Sequence, residues 1–281
     1  MKTNYEIRHA AHPADVRNYD TTRLRSEFLI KTLFAADEVN MVYSMYDRLI
    51  VGGAQPVHEA LLLEAIDPLK APYFLHRREL GIFNVGAGVG IVEIDDVVFE
   101  LGYKEALYVG MGNRQVVFKS ADALAPALFY FNSAPAHTNY PDRKVTKADA
   151  DKLELGSLEG SNHRTVNRFI VQQVMPTCQL QMGMTELQPG SVWNTMPAHT
   201  HSRRMEAYFY FEVPAQQAVC HFMGEPDETR HLWMANNDAV ISPTWSIHSA
   251  AATSNYTFIW GMAGENLDYG DMDIRQASEL K

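Results

Sequence analysis

The run Pro197-Ala198-His199-Thr200-His201-Ser202-Arg203-Arg204-Met205-Glu206 gathers side chains that bind metal ions. His199 and His201 are two residues apart, and on a β-strand residues i and i+2 face the same side. Both imidazoles can therefore reach one cation from a single wall. Glu206 lies five residues beyond His201, so strict alternation would turn it to the opposite face. A turn through Ser202–Met205 resets that parity, and the next strand then starts with Glu206 inward, followed by Tyr208 and Tyr210 on the same side. The segment Ile241–Ser249 (ISPTWSIHS) supplies a fourth ligand, His248, in a β-prone run after a proline that marks a turn or strand start. Three neutral imidazoles and one carboxylate suit zinc, iron, manganese, nickel or cobalt, and the ligand types alone do not choose among them. With 11 histidines in the chain, an isolated H-x-H is unremarkable. The combination with Glu206 and a later P-x-W-x-x-H, all in β-rich surroundings, is not.

The elements that must carry these residues read as strands. From Tyr73 to Asn132, short β-prone runs are punctuated at close intervals by Gly, Asn and Asp, and a similar texture resumes at Asn167 and continues to Met262. Such spacing predicts an all-β fold of sandwich or barrel type. The expected organisation is an N-terminal arm over 1–40, a first β unit over 41–135, a linker over 136–165, a second, metal-binding β unit over 166–265, and a tail over 266–281. Helices are predicted at Thr22–Phe34, His58–Leu69, Thr146–Leu153 and Ile274–Leu280, and a strand over Met41–Val51. The two β units resemble each other as a degenerate repeat: HRRELGIFNV (76–85) parallels HSRRMEAYFYFEV (201–213), and ALYVGMGNRQVVF (106–118) parallels AVISPTWSIHSAA (239–251). Each half sets an acidic residue after an arginine pair, Glu79 and Glu206. The first half lacks the ligand set: only His76 lies near Glu79, and Gln115 falls opposite His248. It is expected to bind no metal and to serve packing or assembly. Pro135-Ala136-His137-Thr138 repeats the letters of Pro197–Thr200 out of register with the repeat, and is read as coincidence or a nearby loop.

Composition narrows the function classes. A 281-residue chain that is 46% hydrophobic is not intrinsically disordered, and a net charge of −10 gives no nucleic-acid footprint. An acidic protein repels anions on average, so an anionic substrate requires local cations. Cys178 and Cys220 are expected to be reduced core thiols. The N-terminal segment carries charges and a proline where a signal peptide has an apolar core, and no run approaches a membrane span; a soluble cytoplasmic protein is expected.

H-x-H followed by Glu, then P-x-(G/W)-x-x-H several strands later, resembles the two metal motifs of the cupin superfamily, and two such units in tandem resemble a bicupin. Trp245 stands where many cupins have glycine. A closer likeness spans nearly the whole chain: YFLHRRELGIFNVGAG (73–88), ALYVGMG (106–112), FNSAPAHTNYP (131–141), TVNRFIV (165–171), WNTMPAHTHSRRMEAYFYF (193–211), MGEPDETRHL (223–232) and SPTWSIHS (242–249) resemble the bacterial 5-keto-4-deoxyuronate isomerases. That resemblance implies a zinc-dependent ketol-isomerase of pectin and polyuronate breakdown, converting 5-dehydro-4-deoxy-D-glucuronate to 3-deoxy-D-glycero-2,5-hexodiulosonate. It also implies homohexamers of two-domain cupin subunits and metal ligands at His199, His201, Glu206 and His248.

An aldose–ketose isomerisation moves a proton between neighbouring carbons through an enediolate, which a cation on both oxygens stabilises as a Lewis acid. The base is Glu206 if its bond to the metal is loose, a hydroxide held by the metal, or a residue not assigned. For the substrate carboxylate, arginine is the best bidentate partner, and the candidates are Arg164, Arg203, Arg204 and Arg230, each of which also reads as surface charge or a subunit contact. Tyr208 and Tyr210 are candidate donors or core aromatics. Rival functions are a metal-dependent dioxygenase on the same scaffold, a non-catalytic sugar-binding bicupin, and another sugar isomerase.

Overall fold

Alternating and continuous apolar runs separated by Gly, Asn and Asp fold, as their period requires, into strands. The computed structural model describes residues 2–265 and 269–281. The chain divides into two units, one of Met1–Arg8, Thr32–Ala150 and Phe169–Gln181, the other of His9–Lys31, Asp151–Arg168 and Met182–Lys281.

The first unit contains a seven-stranded sheet in the order Lys2–Arg8, Glu38–Ser44, Ile50–Ala54, Phe129–Pro135, Arg78–Asn84, Ala106–Val109, Arg143–Val145, and a four-stranded sheet built from Leu61–Leu62, Val116–Ser120, Gly90–Ile94 and Val97–Leu101. One apolar cluster joins them. Leu80, Ile82, Phe129 and Phe131 from the larger sheet pack with Val92, Ile94 and Phe118 from the smaller, and the Phe118 and Phe131 rings stack at 5.9 Å.

The second unit repeats the plan. Its larger sheet runs Asp151–Leu155, Arg164–Ile170, Gln181–Leu187, Thr257–Gly264, Arg204–Phe211, Ala239–Ser242, Leu29–Ile30, and its smaller one Trp193–Asn194, Ser249–Ala252, Val219–Glu225, Glu228–Met234. The interior differs from that of the first unit. On the Arg204–Phe211 strand, Glu206 lies opposite Met262, Tyr208 opposite Trp260 and Tyr210 opposite Phe258. The Tyr210 hydroxyl and Nδ1 of the buried His221 are hydrogen-bonded at 2.8 Å.

Several local expectations are corrected. The arm does not stand apart: Lys2–Arg8 pairs in parallel with Glu38–Ser44 in the first unit, while the helix Thr21–Phe28 ends six residues earlier than expected and the chain continues as a strand at Leu29–Ile30 of the second. Asp20 caps that helix through the Arg23 amide. Met41–Val51 is not one strand but the facing parts of two, Glu38–Ser44 and Ile50–Ala54, with the chain reversing through Asp47 and Arg48, both at positive φ. His58–Leu69 is a strand at Leu61–Leu62 and a 3₁₀ turn at Asp67–Leu69, because Pro68 leaves room only for a short turn. Thr146 starts a turn capped by the Asp149 carboxylate, after which Asp151–Leu155 is a strand. The expected linker therefore supplies edge strands to both units. Ile274–Leu280 is a strand at Asp273–Arg275 followed by a short 3₁₀ turn. Cys178 and Cys220 are free thiols.

The repeat slips by one residue at its acidic member. Leu80 pairs with Val109 as Glu206 pairs with Ser242, so Leu80, not Glu79, occupies the position of Glu206. Side chains alternate along a strand, and Glu79 therefore faces away from the Leu80–Ile82 core. Its carboxylate accepts hydrogen bonds from the backbone amides of Cys178, Gln179 and Leu180 and from the Tyr108 hydroxyl, at 2.6–2.9 Å.

Candidate metal centre

Three pieces of the second unit bring the histidines and the glutamate together. His199 sits on the short strand Ala198–Thr200, held by antiparallel pairing to Asp273–Arg275, with His199 opposite Ile274. Bends at Ser202 and Arg203 then separate it from the Arg204–Phe211 strand, which presents Glu206 inward. His248 ends the turn that begins at Pro243 and leads into Ser249–Ala252. The ligand atoms of His199, His201, Glu206 and His248 all lie within 4.8 Å of one another. His201 Nε2 and His248 Nε2 are 3.2 and 3.0 Å from Glu206 Oε2, and His199 Nε2 is 3.0 Å from His248 Nε2. Two imidazole nitrogens and a carboxylate oxygen at such spacing are what the edges of one coordination shell demand: metal–nitrogen bonds of about 2.0–2.1 Å give edges of about 2.9–3.4 Å for octahedral to tetrahedral shells.

The protonation pattern suits a cation. Burial, followed by the neighbouring His248 and His201, pushes His199 down to about 2, so its imidazole is neutral at physiological pH. Burial alone would raise the Glu206 carboxyl, but the charge and hydrogen bonds of His248 and His201 hold it well below the usual carboxylate range. The Asp271 carbonyl lies 3.0 Å from His201 Nδ1, the position from which a ring N–H donor would leave Nε2 for the metal.

His199, His201 and Glu206 open on a cavity of about 310 Å³. Arg164, Arg204, Tyr208 and Tyr269 line it together with apolar side chains such as Trp260 and Ile274. The arginines separate into distinct roles. Arg204 is 1% exposed and ion-paired with Asp271 at 2.9 Å. Arg203 is on the surface and pairs with the same carboxylate at 3.0 Å. Arg164 donates to the Asn162 carbonyl at 2.8 Å and, among the described residues, has no acidic partner. Arg230 is not part of the cavity wall: it pairs with Glu228 and donates to the Arg17 carbonyl, so the reading of Arg230 as a carboxylate ligand is set aside. Tyr208 lines the cavity, hydrogen-bonded to Thr195 Oγ1 at 3.0 Å, and burial followed by Glu206 raises its hydroxyl well above the ordinary tyrosine value. Tyr210, on the same face, lies deeper against His221 and off the cavity wall. His137 belongs to the first unit and is exposed.

Tyr269, Asp271 and Ile274 escaped sequence reasoning. Asp271 is some seventy positions from its partners, with no local signal. Met272-Asp273-Ile274-Arg275 did carry one, an apolar–polar alternation of period two that marks a strand.

Two β-sheet units of this plan, one with an inward histidine and glutamate cluster, define a cupin-type protein. An IolB-like protein of Salmonella typhimurium LT2 superposes on it with a TM-score of 0.67 at 17% identity, over 82% of this chain and 89% of that one. An oxalate decarboxylase of Lactobacillus farciminis does so with a TM-score of 0.56 at 11% identity, over 80% and 79%. Residues 30–277 match the KduI/IolB family, and the chain belongs to that family. Over all 281 residues it is 72% identical to the full length of a 4-deoxy-L-threo-5-hexosulose-uronate ketol-isomerase of Bacteroides fragilis and 64% to one of Formosa agariphila. One of Yersinia pseudotuberculosis is 54% identical over 278 residues, 98% of this chain and 100% of the relative.

Proposed function

We propose that this chain is a 4-deoxy-L-threo-5-hexosulose-uronate ketol-isomerase, converting 5-dehydro-4-deoxy-D-glucuronate to 3-deoxy-D-glycero-2,5-hexodiulosonate in the breakdown of pectin and related polyuronates. In this reading it is a cytoplasmic homohexamer that holds one zinc ion per chain through His199, His201, Glu206 and His248. The observation that carries the proposal is the joining, in one cavity, of a four-ligand cluster and a cation without an acidic partner, Arg164. A uronate has a reacting end that must be polarised and a carboxylate that must be gripped, and the cavity offers one group for each. The naming of full-length relatives at 72% identity points the same way and disfavours the dioxygenase and the non-catalytic protein.

A divalent ion bound by the four ligands supplies Lewis-acid stabilisation of negative charge spread over two neighbouring substrate oxygens. The protein's own groups do the rest. Arg164 binds the carboxylate at the far end of the sugar through charge-assisted hydrogen bonds. The protonated Tyr208 hydroxyl, fixed by Thr195, donates to a substrate oxygen. Trp260, Met262 and Ile274 exclude bulk water, which strengthens each of these interactions. Glu206, an ionised carboxylate, would be the group that carries the proton between adjacent carbons.

The test is to incubate purified protein with the unsaturated-uronate breakdown product and to follow loss of the aldehyde. Activity is expected to vanish with a strong chelator and return with zinc, and metal analysis to give about one ion per chain, lost in His199→Ala/His201→Ala. Full turnover in chelator, or full metal content in that variant, would overturn the reading.

A further inference from the structure

The first unit keeps, at the position equivalent to Arg204, a buried arginine that, among the described residues, no carboxylate pairs with directly. By the register that equates Leu80 with Glu206, Arg78 corresponds to Arg204. Arg204 is ion-paired with Asp271. Arg78 is 5% exposed, and its partners are neutral: Nε donates to Ser133 Oγ at 3.0 Å, and Nη2 to the carbonyls of Arg48 and Ser133 at 2.7 and 2.6 Å. Among the described residues Nη1 has no hydrogen-bond partner. The adjacent Glu79 is turned to the other face and taken up by three backbone amides and the Tyr108 hydroxyl. Burial lowers the Arg78 guanidinium to about 10, which leaves it charged at physiological pH.

Arg78 lines a cavity of about 300 Å³ within the first unit. Arg48 and Arg77 stand at its rim, both exposed, and no acidic side chain lines it among the described residues. The other walls include Tyr43, Leu69, Phe74 and Pro135. A buried charge that no carboxylate touches is costly, and an anion with matching geometry relieves that cost. The volume is larger than a bare ion requires, and the apolar walls favour carbon over hydration water. We infer that the first unit, which lacks the metal ligands, binds a small organic carboxylate, its oxygens on Arg78 and its carbon body against Phe74, Leu69 and Pro135.

Isothermal titration of the metal-loaded full chain with D-galacturonate, a hexuronate of suitable size, tests this. Wild type is expected to show a binding site whose affinity falls about tenfold or further in Arg78→Met, as loss of a charge-assisted pair implies. Ala136→Phe, which keeps the guanidinium but puts a ring into the cavity, should abolish the same site, and it decides the matter if Arg78→Met does not fold. Far-UV circular dichroism and the unfolding midpoint serve as the folding controls. Neutral D-galactose should not bind there. Equal stoichiometry in wild type and Ala136→Phe, or equal binding of galactose, would overturn the inference.

Discussion

Two residues of the second unit, Arg164 and His221, have separate roles. Arg164 is the cavity's cation without an acidic partner, so Arg164→Met should raise KM by about 10- to 100-fold, the loss of a charge-assisted pair, while kcat changes little, as expected for binding shared by ground and transition states. Steady-state kinetics with the uronate substrate would show this, and an unchanged KM would exclude Arg164 as the carboxylate grip. His221 bears on stability. Burial, followed by the nearby His248, lowers it to about 3, whereas the unfolded chain takes up that proton near pH 6.5. Between these values the unfolded state binds the extra proton, so the contribution is complete above about pH 6.5 and lost as pH falls toward 3. His221→Gln, whose amide can either accept from or donate to Tyr210, should make the fall of unfolding free energy with acid shallower by about one proton in that window, as denaturant titrations at several pH values would register. The ligand quartet was legible in the sequence because its spacing is local: two residues within a strand, five across a turn, and a proline-led turn before His248. Asp271 and Tyr269 were not, since only folding of a distant polar segment brings them near.

Among the elements, the strands were readable and their partners were not. Runs such as Arg204–Phe211 announce themselves by aromatic content, but the sequence does not say that Gln181–Leu187 lies beside Thr257–Gly264. That neighbour relation shows at Gly183, where a Cβ would come within 2.1 Å of the Trp260 ring and 2.6 Å of the Asn167 carbonyl. Gly183→Ala should therefore cost about 1–3 kcal/mol through overpacking. It should also disturb the cavity wall that Trp260 forms, giving a lower denaturant midpoint together with an altered near-UV tryptophan signal. A midpoint equal to wild type would mean the two strands are spaced more widely than described. The slip between Glu79 and Glu206 has the same origin: motif letters align at one spacing, whereas strand parity is set by pairing with the neighbour. The helices expected at 58–69 and 146–153 failed because short apolar or mixed segments satisfy either period, and Pro68 and the Asp149 cap decided for turns.

For the whole molecule, the sequence carried the class of fold and the tandem plan but not the path by which the chain shares its segments: residues 9–31 serve the second unit, although the first unit follows them. The proposed hexamer predicts a particle of about 190 kDa, six chains of 31.7 kDa each, in light scattering; a 32 kDa particle at working concentration would rule it out. The segment from Tyr269 to Lys281 contributes Asp271 and Ile274 to the surroundings of the candidate metal centre, and its last residue exchanges hydrogen bonds with the hairpin at Pro226 and Thr229. A peptidase cut that removes that stretch should therefore lower turnover while the bulk β-structure still reads as intact.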